Sequence, residues 1–162
     1  MTQTTTVMST FLTPADFLTY WLSHRHLTRR VIEAFPEDQL FTFTAAPPMR
    51  PFAEMAWEIH GVTAYTLNGL VTGDWGEPVW DAQPAQTREA LLAAWDELSR
   101  RIEAELPGVS PTRYAEEQPL AWGPMTGWFA AIGVVDNEIH HRGQGYVYLR
   151  ALGITPPDFW AR

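Results

Sequence analysis

Apolar residues recur at three- and four-residue intervals in four separate stretches of this chain, and that period belongs to helices. The first stretch opens at Thr13-Pro14-Ala15-Asp16. Threonine suits the N-cap there, proline the first helical position, and aspartate the positive end of the helix dipole. Phe17, Trp21, His24, Thr28 and Val31 follow on one face, widened by Leu18, Leu22 and Leu27, until Phe35-Pro36 closes the helix. Pro51 opens the second helix, in which Phe52, Met55, Ile59, Val62, Thr66 and Gly69 keep the spacing and Gly73 marks the end. The third starts at Thr87 and carries Leu91, Trp95, Leu98, Ile102 and Leu106 to a stop at Pro107-Gly108. The fourth runs from about Pro124 to Leu152, with Gly153 just past its end. Segments 41–51, 74–86 and 110–122 read as irregular connectors. No strand alternation competes. The pattern predicts an all-α fold, a four-helix bundle with long connecting loops, as one domain over 13–162 behind a threonine-rich flexible leader at 1–12.

Composition narrows the function more than the fold. The 162 residues are 46% hydrophobic and 13% aromatic, enough to fill a core. Net charge is −8 and lysine is absent, which argues against nucleic acid or an anionic membrane as partner, since both need clustered cations. The chain has no cysteine, hence no disulfide, no thiolate metal ligand and no nucleophilic thiol of its own. No apolar run approaches the ~20 residues of a membrane-spanning helix. The leader lacks the basic and apolar parts of a secretory signal, so a cytoplasmic location is expected. Trp75, Trp80, Trp122 and Trp128 fall in or near connectors, where one domain leaves aromatic surface over, and a homodimer is expected on that ground. Phosphate-loop, nucleophile-elbow and H-E-x-x-H patterns are all missing.

The chemistry sits on the last helix, in Asp136-Asn137-Glu138-Ile139-His140-His141-Arg142-Gly143-Gln144-Gly145. Asn137 and His141, four apart, share a face that Gly145 and Tyr148 continue. Asp136 and His140 form a second such pair about 100° round the helix, where the carboxylate can accept from the ring and fix its tautomer. Glu138 and Arg142 form a third, read as a solvated ion pair. One imidazole and one amide oxygen are thus aimed at a common point. A third donor must come from another helix, and His60 is the leading candidate. Taken alone, His60 reads as a core-edge histidine bonded to a carbonyl or carboxylate. Tyr65, Tyr146 and Tyr148 are candidate pocket walls.

Two segments carry a resemblance. The stretch from Asp136 to Trp160, and Glu58-Ile59-His60-Gly61-Val62-Thr63-Ala64-Tyr65-Thr66-Leu67-Asn68-Gly69, are similar to the last and second helices of the DinB-like (DinB/YfiT-like) metalloenzyme family. The order of elements agrees from Thr13 to Trp160. The resemblance implies a four-helix bundle holding a divalent metal, commonly zinc or nickel, on three histidines. One comes from the second helix and two from an H-x-x-x-H pair on the last. Carried over, His60 takes the second-helix position and His141 the second of the pair, while the first falls on Asn137. An amide oxygen is a poorer donor than imidazole to these ions, so weaker binding is implied. The wider family includes transferases that use a low-molecular-weight thiol such as bacillithiol or mycothiol. The expectation is therefore a metal-dependent transferase or hydrolase acting on a small molecule, with His60, Asn137 and His141 at the metal. Asp136, His140, Tyr65 and Tyr148 would support the ligands or line the pocket. The alternative is a bundle without metal that serves as a binding or interaction protein.

Overall fold

In the computed structural model, residues 12–80, 82 and 86–162 are described, so all but the last residue of the expected leader lies outside the described residues. The first helix, α1 (Pro14–Ala34), begins with a reciprocal cap. The Thr13 side chain accepts from the Asp16 N–H at 3.1 Å, and the Asp16 carboxylate accepts from the Thr13 N–H at 3.1 Å. A single turn, α2 (Glu37–Leu40), interrupts the connector before α3 (Phe52–Thr72). Then come α4 (Arg88–Glu105), a short 3₁₀ turn over Leu106–Gly108, and α5 (Pro111–Ala115). A hairpin of β1 (Glu117–Leu120) and β2 (Gly123–Thr126) leads into α6 (Gly127–Ala151).

The four long helices are the four that the periodicity predicts. The hairpin is not, and it shortens the start of the last helix from Pro124 to Gly127. Its strands have four residues each and pair Glu117 with Thr126 and Leu120 with Gly123, too short a run for alternation to stand out in a sequence. The far end of α6 closes as expected: the Ile154 N–H bonds to the Leu149 carbonyl and Gly153 takes φ +76°.

Along each of α1, α3 and α6 the buried residues pass from one apolar cluster through polar side chains to another, in the opposite sense on α3. One apolar cluster gathers Phe17, Trp21, Leu67, Leu70, Ala131 and Val134. A second gathers Val31, Ile32, Phe52, Ile59, Trp95 and Tyr148. Between them on those three helices lie His24, Arg25, Thr28, Thr63, Glu138, His141 and Arg142, all buried. A polar layer therefore crosses the bundle between two apolar halves. It holds together because most of its groups satisfy one another, Glu138 Oε2 being left without a hydrogen bond among the described residues. Thr28 donates to Glu138 at 2.5 Å and accepts from Arg142 at 3.0 Å, while Arg25 donates to Ser99 at 2.8 Å and to the Trp95 carbonyl at 3.0 Å. Glu138 and Arg142 are thus not the solvated pair expected from their spacing: they are 0% and 5% exposed. Below this layer α3 and α6 approach closely at Gly145, where even a Cβ would meet the Phe52 ring at 2.5 Å.

No helix among the described residues is long and apolar enough to cross a membrane.

Candidate functional site

His141 comes to the edge of the polar layer on the face of α6 that meets α3. It is 6% exposed, and both of its ring nitrogens are engaged. Nε2 lies 2.9 Å from Glu58 Oε1, and Nδ1 lies 2.8 Å from Gln144 Oε1 one turn along α6. An ionised carboxylate only accepts, so Nε2 is the donor in the first contact. The Gln144 amide can present either its oxygen or its nitrogen, which lets the second contact survive whether Nδ1 carries a proton or not. The ring is therefore oriented in either charge state.

The other oxygen of Glu58 accepts from Arg50 at 2.5 Å. Burial alone would raise the Glu58 carboxyl; the hydrogen bonds from Arg50 and His141 outweigh it and hold the group below the ordinary glutamate range. Arg50 is held in turn through its backbone, since the buried Tyr148 hydroxyl donates to the Arg50 carbonyl at 2.8 Å. Asn137 lies one turn before His141, and its Oδ1 is buried without a hydrogen-bond partner. An orphaned amide oxygen inside a fold costs about 1–3 kcal/mol. Glu58 and Asn137 together form the polar end of a cavity of about 590 Å³. Its remaining walls are Val62 and Thr66 from α3, Phe129, Ala130, Gly133 and Val134 from α6, Met125 from β2, Trp122 from the hairpin turn and Trp80 from the connector after α3.

The aromatic wall is built on Tyr65, whose ring lies 5.5 Å from those of Trp80 and Trp122 and whose hydroxyl accepts from the Ala121 N–H at 2.9 Å. That bond pins the hairpin turn against α3. Cavities of this size with an apolar body and a few convergent polar groups suit small-molecule ligands.

The set expected from the sequence is not assembled as such. Asn137 and His141 share the site, but His60 lies on another face of α3. It is two residues from Glu58, about 200° round the helix, and it lines a separate cavity of about 380 Å³ with Trp57, Gly61 and Ala64. Burial and then the Arg25 charge push its imidazole down to about 4, against an opposing pull from the Ala94 backbone. Glu58 stands where α3 faces His141. Among the described residues no three His, Cys, Asp or Glu side chains gather as a metal-binding group. Asp136 and His140 are exposed on the outer side of α6; no hydrogen bond joins them, and the His140 ring rests edge-on to His141 at 4.9 Å. Tyr148 is a core residue that steadies Arg50 rather than a cavity wall. Glu58, Arg50 and Gln144 carry the site without having been singled out. The available signal for Glu58 was its i,i+4,i+8 alignment with Val62 and Thr66 on an otherwise apolar helix.

A four-helix bundle with its polar cluster between the second and last long helices has relatives. The sequence profile of the DinB family matches residues 1–162. The chain belongs to the DinB family. Among solved structures, a DinB-like protein from Bacillus cereus superposes with a TM-score of 0.71 at 20% identity, covering 89% of this chain and 95% of that one. A DinB-like protein from Bacillus subtilis, YjoA, gives 0.73 at 20% identity, covering 89% and 96%. At such identity these likenesses speak for the DinB fold and not for a reaction. No curated protein matches the chain.

Proposed function

We propose that this DinB-family chain is an enzyme of small-molecule chemistry, a hydrolase or transferase, whose reacting groups are Glu58, Asn137 and His141. The observation that carries this reading is an acid–base pair at 2.9 Å beside a buried amide oxygen with no partner, at the polar end of an aromatic cavity. The apolar body of a substrate would lie against Trp80, Trp122 and Phe129. Its polar group would then meet Asn137 Oδ1, which accepts an N–H or O–H. His141, its Nε2–H held by Glu58, would take or return a proton at Nδ1, with Glu58 stabilising the imidazolium and Gln144 keeping the ring in place. Arg50 keeps Glu58 ionised throughout.

The same three side chains fit a divalent cation such as zinc or nickel. They offer a carboxylate oxygen, an amide oxygen and an imidazole nitrogen, and the orphaned Asn137 Oδ1 is the acceptor that such an ion would satisfy. A bound cation would supply Lewis acidity, lowering the pKa of a water or of a low-molecular-weight thiol cosubstrate. Glu58, not His60, is the α3 donor in this arrangement. Two of the three ligands being oxygen, affinity falls below that of a three-histidine site.

A second reading has its own support. Glu58 is already paired on both oxygens, by Arg50 and His141, so the cluster is balanced without an ion. That favours a metal-free binding protein. Metal analysis of protein purified without an affinity tag separates the two, compared with Glu58→Gln. The enzyme reading with a cation expects close to one divalent ion per chain after incubation with zinc or nickel, lost in Glu58→Gln. No ion retained by either protein supports the binding reading instead.

A further inference from the structure

The cavity of about 380 Å³ at His60 backs onto the one at Glu58, and the connector after α3 runs between them. It crosses α3 at Gly61, where a Cβ would stand 2.3 Å from the Val79 carbonyl oxygen. Val79 lines the His60 cavity and the next residue, Trp80, lines the other. Tyr65 completes the partition, its ring 5.4 Å from Trp75 and 5.5 Å from Trp80. A molecule in one cavity is therefore not in the other.

The polar side chains His60, Asn68 and Glu77 of the His60 cavity offer acceptors. The Ala94 backbone on α4 supports the protonated form of His60, as a carbonyl does when it accepts a ring N–H. A neutral ring then keeps its other nitrogen as an acceptor. Asn68 donates from its amide nitrogen to the Asp74 carbonyl at 2.6 Å, so its amide oxygen is the end left for a ligand. Glu77 adds an exposed carboxylate. No arginine lines the cavity among the described residues, and the Trp75 N–H is already given to Gln118 at 3.2 Å.

His60 and Asn68 share a face of α3 with Ala64 between them, about 12 Å apart along the axis. One donor group cannot meet both. The small Ala64 side chain leaves the space between them open, and Trp57 and Trp75 wall it with aromatic surface. We propose that this cavity is a second binding site, for a small aromatic amine with a donor at each end. A ring O–H or N–H meets His60, the aromatic body lies between Trp57 and Trp75, and an ammonium meets Asn68 and Glu77. The site stands whether or not the chemistry proposed for the Glu58 cavity holds.

Tyramine is the probe, titrated by calorimetry at about 0.15 M salt to screen the overall −8 charge. It is compared with phenethylamine, which lacks the hydroxyl, and with hydroxyphenylpropionate, which carries a carboxylate in place of the ammonium. Tyramine is expected to bind at least tenfold more tightly than the carboxylate and about threefold more tightly than phenethylamine. His60→Phe is expected to erase the difference between the two amines. Glu77→Gln, an exposed change that leaves the helical circular dichroism intact, is expected to weaken both amines at least fivefold. Glu58→Gln, in the other cavity, is expected to leave the titration unchanged. The order of the three probes is read on the unaltered protein, so it decides even where His60→Phe fails to fold. No binding of tyramine, equal binding of the carboxylate, a hydroxyl preference that survives His60→Phe, or binding lost in Glu58→Gln but not in Glu77→Gln would each overturn the proposal.

Discussion

Glu138 and Arg142 stand one helical turn apart on α6, 3.7 Å between nearest charged atoms, and both are enclosed by the bundle. Burial raises the Glu138 carboxyl, against the opposing pull of Arg25, Thr28 and Arg142, while Arg142 is lowered chiefly by the same loss of water. The carboxylate is the leading counter-charge to both Arg142 and Arg25, with Asp96 a second for Arg25. Glu138→Ala removes that leading counter-charge from both and should cost about 3–5 kcal/mol. Urea unfolding measures it, and the loss should appear as a lower midpoint at unchanged slope.

The same pair shows where the sequence was legible. Helix starts, stops and apolar faces were readable because caps, prolines and the 3.6 period act locally. Thr13 with Asp16, and Gly153 past α6, are examples. Which polar face of α6 is buried is a tertiary matter: it depends on Arg25 and Thr28, more than 100 residues away in the chain. Spacing alone makes Glu138 and Arg142 look like an ordinary surface pair. His60 illustrates the same limit. Residue type drew attention to it, but α6 packs against the Glu58 face of α3, and that choice is made by features such as the Gly145–Phe52 contact.

At Gly145 a methyl group would overlap the Phe52 ring. Gly145→Ala gains about 1 kcal/mol of helix propensity and loses more to overpacking, about 1–3 kcal/mol, so net destabilisation is expected. In a Phe52→Leu background the clash is relieved and the same substitution should become neutral or stabilising. A double-mutant cycle in thermal or urea unfolding reads that change of sign.

Acidification should weaken the fold through two histidines. His24, 2% exposed and set between Arg142 at 2.9 Å and Arg162 at 3.0 Å, is pushed down to about 4, first by burial and then by those charges. His60 is pushed down to about 4 as well. The unfolded chain takes up these protons below about pH 6.5, and the folded chain refuses them until about pH 4. Their stability contribution is thus complete above pH 6.5 and lost as pH falls toward 4. Glu138, raised in the fold, works in the opposite sense, losing its contribution as pH rises. Tm measured from about pH 7 to about pH 4.5 should fall, and His24→Gln and His60→Gln should each flatten the slope.

That Glu58, Asn137 and His141 form one site, with His60 outside it, is tested most directly by zinc titration against a competing chelator. Asn137→His places two imidazoles one turn apart on the face that meets Glu58. Affinity should rise at least tenfold over wild type, about 1.4 kcal/mol, and fade below about pH 6 as the imidazoles take up protons. Adding Glu58→Ala should abolish the gain; adding His60→Ala should leave it intact. Equal affinity in wild type and Asn137→His, or a gain that survives Glu58→Ala and disappears with His60→Ala, would contradict the account.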